Sequence, residues 1–174
     1  MPKRKSIRLK DYDYSQNNAY FITICTHNKK MLFGDIVGAD TISARDSARD
    51  SARDLISARM INETFTKTID QYTNVKCTKY VIMPNHFHAI IVIGRADMES
   101  APTIPAIIQS FKRYSTLEYI KLVKQGVLTP FDKQIWQRSY YDHIIRNEQE
   151  YLKTWEYIDT NQLKWQEDEL YEPR

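Results

Sequence analysis

The run Tyr80-Val81-Ile82-Met83-Pro84-Asn85-His86-Phe87-His88-Ala89-Ile90-Ile91-Val92-Ile93 leaves this chain few folds to choose from. After His88 it is continuously apolar and largely β-branched, without polar alternation, which is the pattern of a strand covered on both faces. Pro84 has no N–H to give to a ladder, so it divides the run into strands over Val75–Met83 and His86–Ile93, joined by a turn or bulge. Side chains on a strand alternate between faces, which puts His86 and His88 on one face and Phe87 on the other. Two imidazoles on one face beside a tight turn can grip a common ion. Alone, a His-x-His pair on a sheet more often marks ordinary hydrogen bonding, and further residues are needed before it carries a function.

The remaining segments supply a sheet and helices to cover it. Residues 19–26, Ala-Tyr-Phe-Ile-Thr-Ile-Cys-Thr, have strand propensity throughout and predict the first strand. After a turn at His27-Asn28-Lys29-Lys30, residues 31–38 read as a shorter extended piece broken by glycine, most simply paired with the first strand as a hairpin. Residues 43–54 repeat Ser-Ala-Arg-Asp three times, which sets Asp46 and Asp50 three residues before Arg49 and Arg53 but offers almost nothing to bury. A flexible or loosely helical insertion over 40–55 is the expectation.

From Leu55 the pattern becomes amphipathic, with Ile61, Phe65, Ile69 and Tyr72 on one helical stripe. Past a polar loop at 94–102, Thr103 is the expected N-cap of a second helix, with Pro105 in its first turn and Ile104, Ile107, Ile108 and Phe111 facing inward. It should stop near Gly126. Residues 136–146 predict a last, aromatic strand, and Asn147 with Glu150 forms a capping box for a helix from Glu148 to about Lys164. Tyr151, Trp155 and Ile158 can face the core there. Tyr157 and Asn161 are four residues apart and stand one turn above each other on a different face.

With 174 residues the chain suits one domain, 1–174, carrying a basic arm over 1–12 in which Lys3, Arg4, Lys5, Arg8 and Lys10 crowd together. That arm is a candidate phosphate contact. Lys112, Arg113, Arg138, His143 and Arg146 are further candidates, weighed against a solvated helix face for Lys112 and Arg113 and a role for Arg138, His143 and Arg146 in bracing the last helix. No segment approaches the roughly 18 consecutive apolar residues of a membrane span, and the first residues lack the apolar core of a secretory signal, so a cytoplasmic protein is expected. Cys25 and Cys77 lie far apart without a Cys-x-x-Cys spacing, which points to reduced structural thiols and away from zinc held by sulfur.

Taken together, Pro84-Asn85-His86-Phe87-His88, then Trp136-Gln137-Arg138, His143-Ile144-Ile145-Arg146-Asn147 and Tyr157-Ile158-Asp159-Thr160-Asn161 carry more information than any one of them. In this order they resemble the HUH single-strand DNA transposases with one catalytic tyrosine, in the branch of REP-associated tyrosine transposases. The resemblance runs from Tyr20 to Trp165, with one departure: the family pattern has a proline after the asparagine, where this chain has Gln162. It implies an α+β fold, a compact antiparallel sheet of ferredoxin or RRM type with helices packed on it. It further implies Tyr157 as nucleophile, and His86, His88 and Asn161 as ligands of Mg²⁺ or Mn²⁺. The substrate implied is single-stranded DNA beside a hairpin; relatives include dimers in which the tyrosine helix serves the partner's site, and the long connection before Asn147 permits a helix acting in cis or in trans in a homodimer of this chain.

Those implications agree with the chemistry of the residues. A phenol of ordinary pKa about 10 is a weak nucleophile and needs help to attack a phosphodiester. A divalent ion gives that help, and a phosphotyrosine keeps the energy of the broken bond for rejoining to another 3′ hydroxyl. Three other readings stay open on the residues alone: a non-catalytic single-strand binding module, a hydrolytic phosphoesterase using the histidines as acid and base, and an HUH replication initiator or relaxase.

Overall fold

The computed structural model describes residues 18–34, 37–38, 49–94 and 102–171. Its centre is the predicted strand pair, β3 (Val75–Met83) and β4 (His86–Ile93), turning at Pro84-Asn85. β1 (Asn18–Cys25) runs antiparallel to β4 on its other side, and β5 (Tyr141–Ile145) pairs antiparallel with β1. A two-residue piece, β2 (Val37–Gly38), pairs with β3 and completes the order β2-β3-β4-β1-β5. The expected hairpin between the first strand and the piece after it is therefore corrected. β1 already has β4 and β5 on its two edges, so the piece at 37–38 pairs with β3 instead. Placing β1 in the middle gives its apolar residues two neighbours, which a hairpin at the sheet edge would not.

Helices cover both faces. α1 (Arg49–Asp70) and α2 (Ile104–Lys124) lie against the face formed by Tyr20, Ile22, Ile24, Phe87, Ala89, Ile91 and Ile93, burying Ile61, Phe65, Ile107, Ile108 and Phe111 there. α3 (Glu148–Asn161) covers the opposite face through Ile158, against Val81, Met83, Ile90 and Ile145. Thr103 caps α2 by accepting from Ala106 N–H, and Asn147 caps α3 by accepting from Glu150 N–H at 2.9 Å. Gly126, at φ 74°, ends the α2 region in a left-handed conformation that suits glycine.

α1 begins at Arg49, so the last residues of the Ser-Ala-Arg-Asp repeat are helical, while the repeat's first residues and the basic arm with Lys3, Arg4 and Lys5 lie outside the described residues. α3 ends at Asn161, three residues sooner than expected, and the chain goes on through a 3₁₀ turn at Trp165–Glu167. A register shift between Cys77 and Lys79 turns Lys79 toward α3, where its ammonium meets Asp159 at 2.5 Å and lies 4.1 Å from the centre of the Trp155 ring. Trp155, expected in the core, is instead 38% exposed and holds Lys79.

Candidate metal and tyrosine site

Alternation along β4 sends His86 and His88 to the α3 face, and register chooses their neighbours. His88 lies across from Thr23 of β1 and Val81 of β3; His86 lies across from Cys25 and Met83. The ring centres are 4.5 Å apart. Thr23 Oγ1 is 2.8 Å from His88 Nδ1, and Asn85 Oδ1 is 2.8 Å from His86 Nδ1. Both Nε2 atoms are then left buried without a hydrogen-bond partner. An unpartnered polar atom in a protein interior costs about 1–3 kcal/mol, which a coordinated cation would remove.

Burial also fixes the charge of the rings. It lowers the His86 pKa to about 3, with the Lys29 charge adding to the effect. It holds His88 well below the ordinary value too, with the His86 charge adding and Asp168 opposing. Both imidazoles are neutral at physiological pH, the form that binds a metal.

Candidate oxygen ligands lie on α3 and in the segment after it. Asn161 is 3% exposed; its Nδ2 donates to Asp168 Oδ2 at 2.9 Å, and its Oδ1 is buried with no partner. Asp168 Oδ1 accepts from Leu170 N–H at 2.7 Å. One ligand atom each from His86, His88 and Asp168 lie within 4.8 Å of one another. Two nitrogens with one or two oxygens suit Mn²⁺ or Mg²⁺ and do not exclude zinc.

Sequence reasoning named Asn161 and missed Asp168, because nothing in Glu167-Asp168-Glu169 marks one carboxylate above the others. Gln162 closes the helix end ahead of that segment. Its N–H bonds Thr160 O, whereas a proline there would lose that bond and disfavour helical backbone at Asn161.

Tyr157 stands at the same place. Its ring centre is 5.4 Å from that of His88 and 5.9 Å from that of Phe21, and the side chain is 45% exposed. It lines a cavity of about 820 Å³ together with Thr23, His88, Tyr141, Asn161 and Asp168. Partial burial, and next the Asp168 charge, push the phenol up to about 12, with the Asn161 amide acting the other way. The tyrosine, the two histidines and both oxygen candidates therefore meet within one chain.

The nominated cations divide. Lys112 donates to the carbonyls of Gln137 and Ser139 at 2.8 and 3.0 Å, bracing the approach to β5. His143 pairs with Glu150 at 2.6 Å, and the other Glu150 oxygen accepts from Arg146 N–H, so this pair fastens β5 to α3. Arg113, Arg138 and Arg146 are exposed. Lys153 and Lys164, which the sequence reading did not single out, line the cavity. Cys25 and Cys77 are free thiols; burial raises both, Cys77 to about 12.

The depressed histidines give a pH expectation for ion binding. Two exposed histidines of pKa about 6.5 would each lose roughly tenfold in metal affinity at pH 5.5 through proton competition. Here the folded rings take up no proton in that range, so Mn²⁺ affinity measured by calorimetry should change no more than about threefold between pH 7.5 and 5.5. A fall approaching 100-fold would show that the rings titrate normally.

The chain is similar to known proteins in sequence and in fold. The family model described as "Transposase IS200 like" matches residues 47–161. A Haemophilus influenzae protein described as uncharacterized is 33% identical over 178 residues, covering 97% of this chain and 93% of its own length. The solved structure of a REP-associated tyrosine transposase bound to a REP hairpin superposes with a TM-score of 0.58 at 16% identity, over 91% of this chain and 74% of that one.

Proposed function

The chain belongs to the IS200-like transposases, of the HUH type with one tyrosine, and from that premise we propose that it cleaves and rejoins single-stranded DNA beside hairpins through Tyr157. The observation that carries the reading is the meeting of Tyr157, His88 and Asp168 around one cavity. The hairpin in the related solved complex supports the choice of substrate.

In the proposed step the Tyr157 hydroxyl oxygen attacks the scissile phosphorus. A Tyr157 O–P bond forms and the P–O3′ bond breaks, with its electron pair staying on the 3′ oxygen. The phenol proton passes to solvent or to the Asp168 carboxylate, whose charge already bears on the hydroxyl. The 5′ phosphate then rests on Tyr157 until a 3′ hydroxyl attacks it and restores the phenol.

His86 and His88, with Asp168 and Asn161, would hold the divalent ion. When bound, Mg²⁺ or Mn²⁺ supplies Lewis-acid polarisation of the phosphate and stabilises charge on the departing oxygen. His88 and Phe21 pack the Tyr157 ring edge-on, which limits its motion and orients the hydroxyl. Lys153 and Lys164 add positive charge at the cavity for the DNA backbone. The same-chain geometry supports α3 serving its own site, in a monomer or within a dimer.

The test is incubation of the full chain with a labelled hairpin oligonucleotide carrying a single-stranded flank. A denaturation-resistant protein–DNA adduct should form with Mn²⁺ and disappear with chelator. Binding without cleavage under all metals would support the non-catalytic module instead. A 5′ product free in solution, never attached to protein, would support hydrolysis.

A further inference from the structure

Asn85 is fully buried in the β3–β4 turn, and its polar groups are committed. Its carbonyl accepts from Thr26 N–H at 2.8 Å and from Thr26 Oγ1 at 3.0 Å, which fixes the turn against the end of β1. Its side-chain amide has two different neighbours. Nδ2 donates to the Leu170 carbonyl at 2.8 Å, while Oδ1 faces His86 Nδ1 at the same distance.

A backbone carbonyl can only accept, so the Leu170 oxygen requires the NH₂ side of the Asn85 amide. The amide oxygen is then turned toward His86, and it too can only accept. His86 Nδ1 must therefore carry the ring proton, which leaves Nε2 bare for a ligand. The tail that provides Leu170 is held at the site by other contacts. The Trp165 and His86 ring centres are 5.6 Å apart, and Asp168 accepts from Asn161 Nδ2 and from Leu170 N–H. The family model ends at residue 161, before this tail begins.

We infer that Asn85 is a positioning residue through which the C-terminal tail selects the His86 tautomer with a free Nε2, coupling placement of Asp168 to readiness of the histidine beside it. If the tail lifts away, the amide is free to rotate. It can then present Nδ2 to His86 Nδ1, and the ring proton moves to Nε2, where it blocks coordination. The inference rests on the metal-site reading above, yet its decisive readout needs neither metal nor DNA.

That readout is the ¹⁵N spectrum of the histidine rings in the full-length, metal-free protein, with His86 identified by its absence in His86→Gln. The wild type should show Nδ1 protonated and Nε2 bare. Asn85→Asp keeps an acceptor toward His86 and should keep this tautomer. Asn85→Leu removes the acceptor, and His86 should move toward the Nε2–H form. Leu170→Pro removes the N–H that bonds Asp168 and loosens the half-buried tail, so it should shift the tautomer too. The double variant Asn85→Asp/Leu170→Pro should restore the wild-type tautomer.

The Mn²⁺ dissociation constant should rise about 10- to 100-fold in Asn85→Leu, the usual consequence of losing a ligand's hydrogen-bond partner. A wild-type His86 protonated on Nε2, or an unchanged tautomer in both Asn85→Leu and Leu170→Pro, overturns the inference. Absence of any Mn²⁺-dependent adduct in the wild type, with the tautomer as described, would instead count against the proposed function alone.

Discussion

Tyr157→Phe should abolish the covalent protein–DNA adduct, a loss on the order of 10⁴-fold or more in cleavage rate, while hairpin DNA binding changes no more than about threefold. The substitution removes one oxygen. The ring keeps its edge contacts with His88 and Phe21, so the cavity wall and α3 packing are retained. Tyr140 and Tyr141 line the same cavity and are the rivals, whereas Tyr151 packs against the cluster around Ile158. Intact adduct yield in Tyr157→Phe, with loss in Tyr141→Phe or Tyr140→Phe, would move the nucleophile to β5 or its approach. The measurement is adduct yield on a denaturing gel over a time course long enough to see slow residual reaction.

His88→Ala should weaken Mn²⁺ binding by at least about 100-fold and remove metal-dependent cleavage. It deletes one of two nitrogens that face the site and also the ring against which Tyr157 rests. His86→Ala should lose metal binding to a similar extent but leave that Tyr157 contact in place. The pair therefore separates ligation from tyrosine orientation. The two oxygen candidates are tested in the same titration. Asp168→Ala should cost more affinity than Asn161→Ala, because Asp168 brings a full negative charge and Asn161 a neutral amide. Metal affinity unchanged in both histidine variants, in proteins that circular dichroism shows to be folded, would end the metal-site reading.

Gln162, the departure from the family pattern, sits at the end of α3. By sequence it suggests an altered helix end. In the fold, the helix end is where the chain turns to carry Trp165 onto His86 and Asp168 to the cavity. The repeat at 43–54 has the opposite character: it is conspicuous in sequence, and its described part only lengthens the start of α1.

What the sequence determined by itself is what short-range rules encode. Pro84 sets the division between β3 and β4, because a missing N–H is a local fact. His86 and His88 share a face because strand side chains alternate. Thr103 and Asn147 mark helix starts because their side chains bond backbone three residues on, and Tyr157 and Asn161 align because a helix turns every 3.6 residues. Only the tertiary structure decided which strands flank β4, which way Lys79 faces after the register shift, and that Asp168 and Leu170 return to residues some 80 positions earlier. Those contacts depend on how layers pack and how a tail crosses a sheet. No periodicity records them, because the residues that meet share a place in space and no repeating interval along the chain.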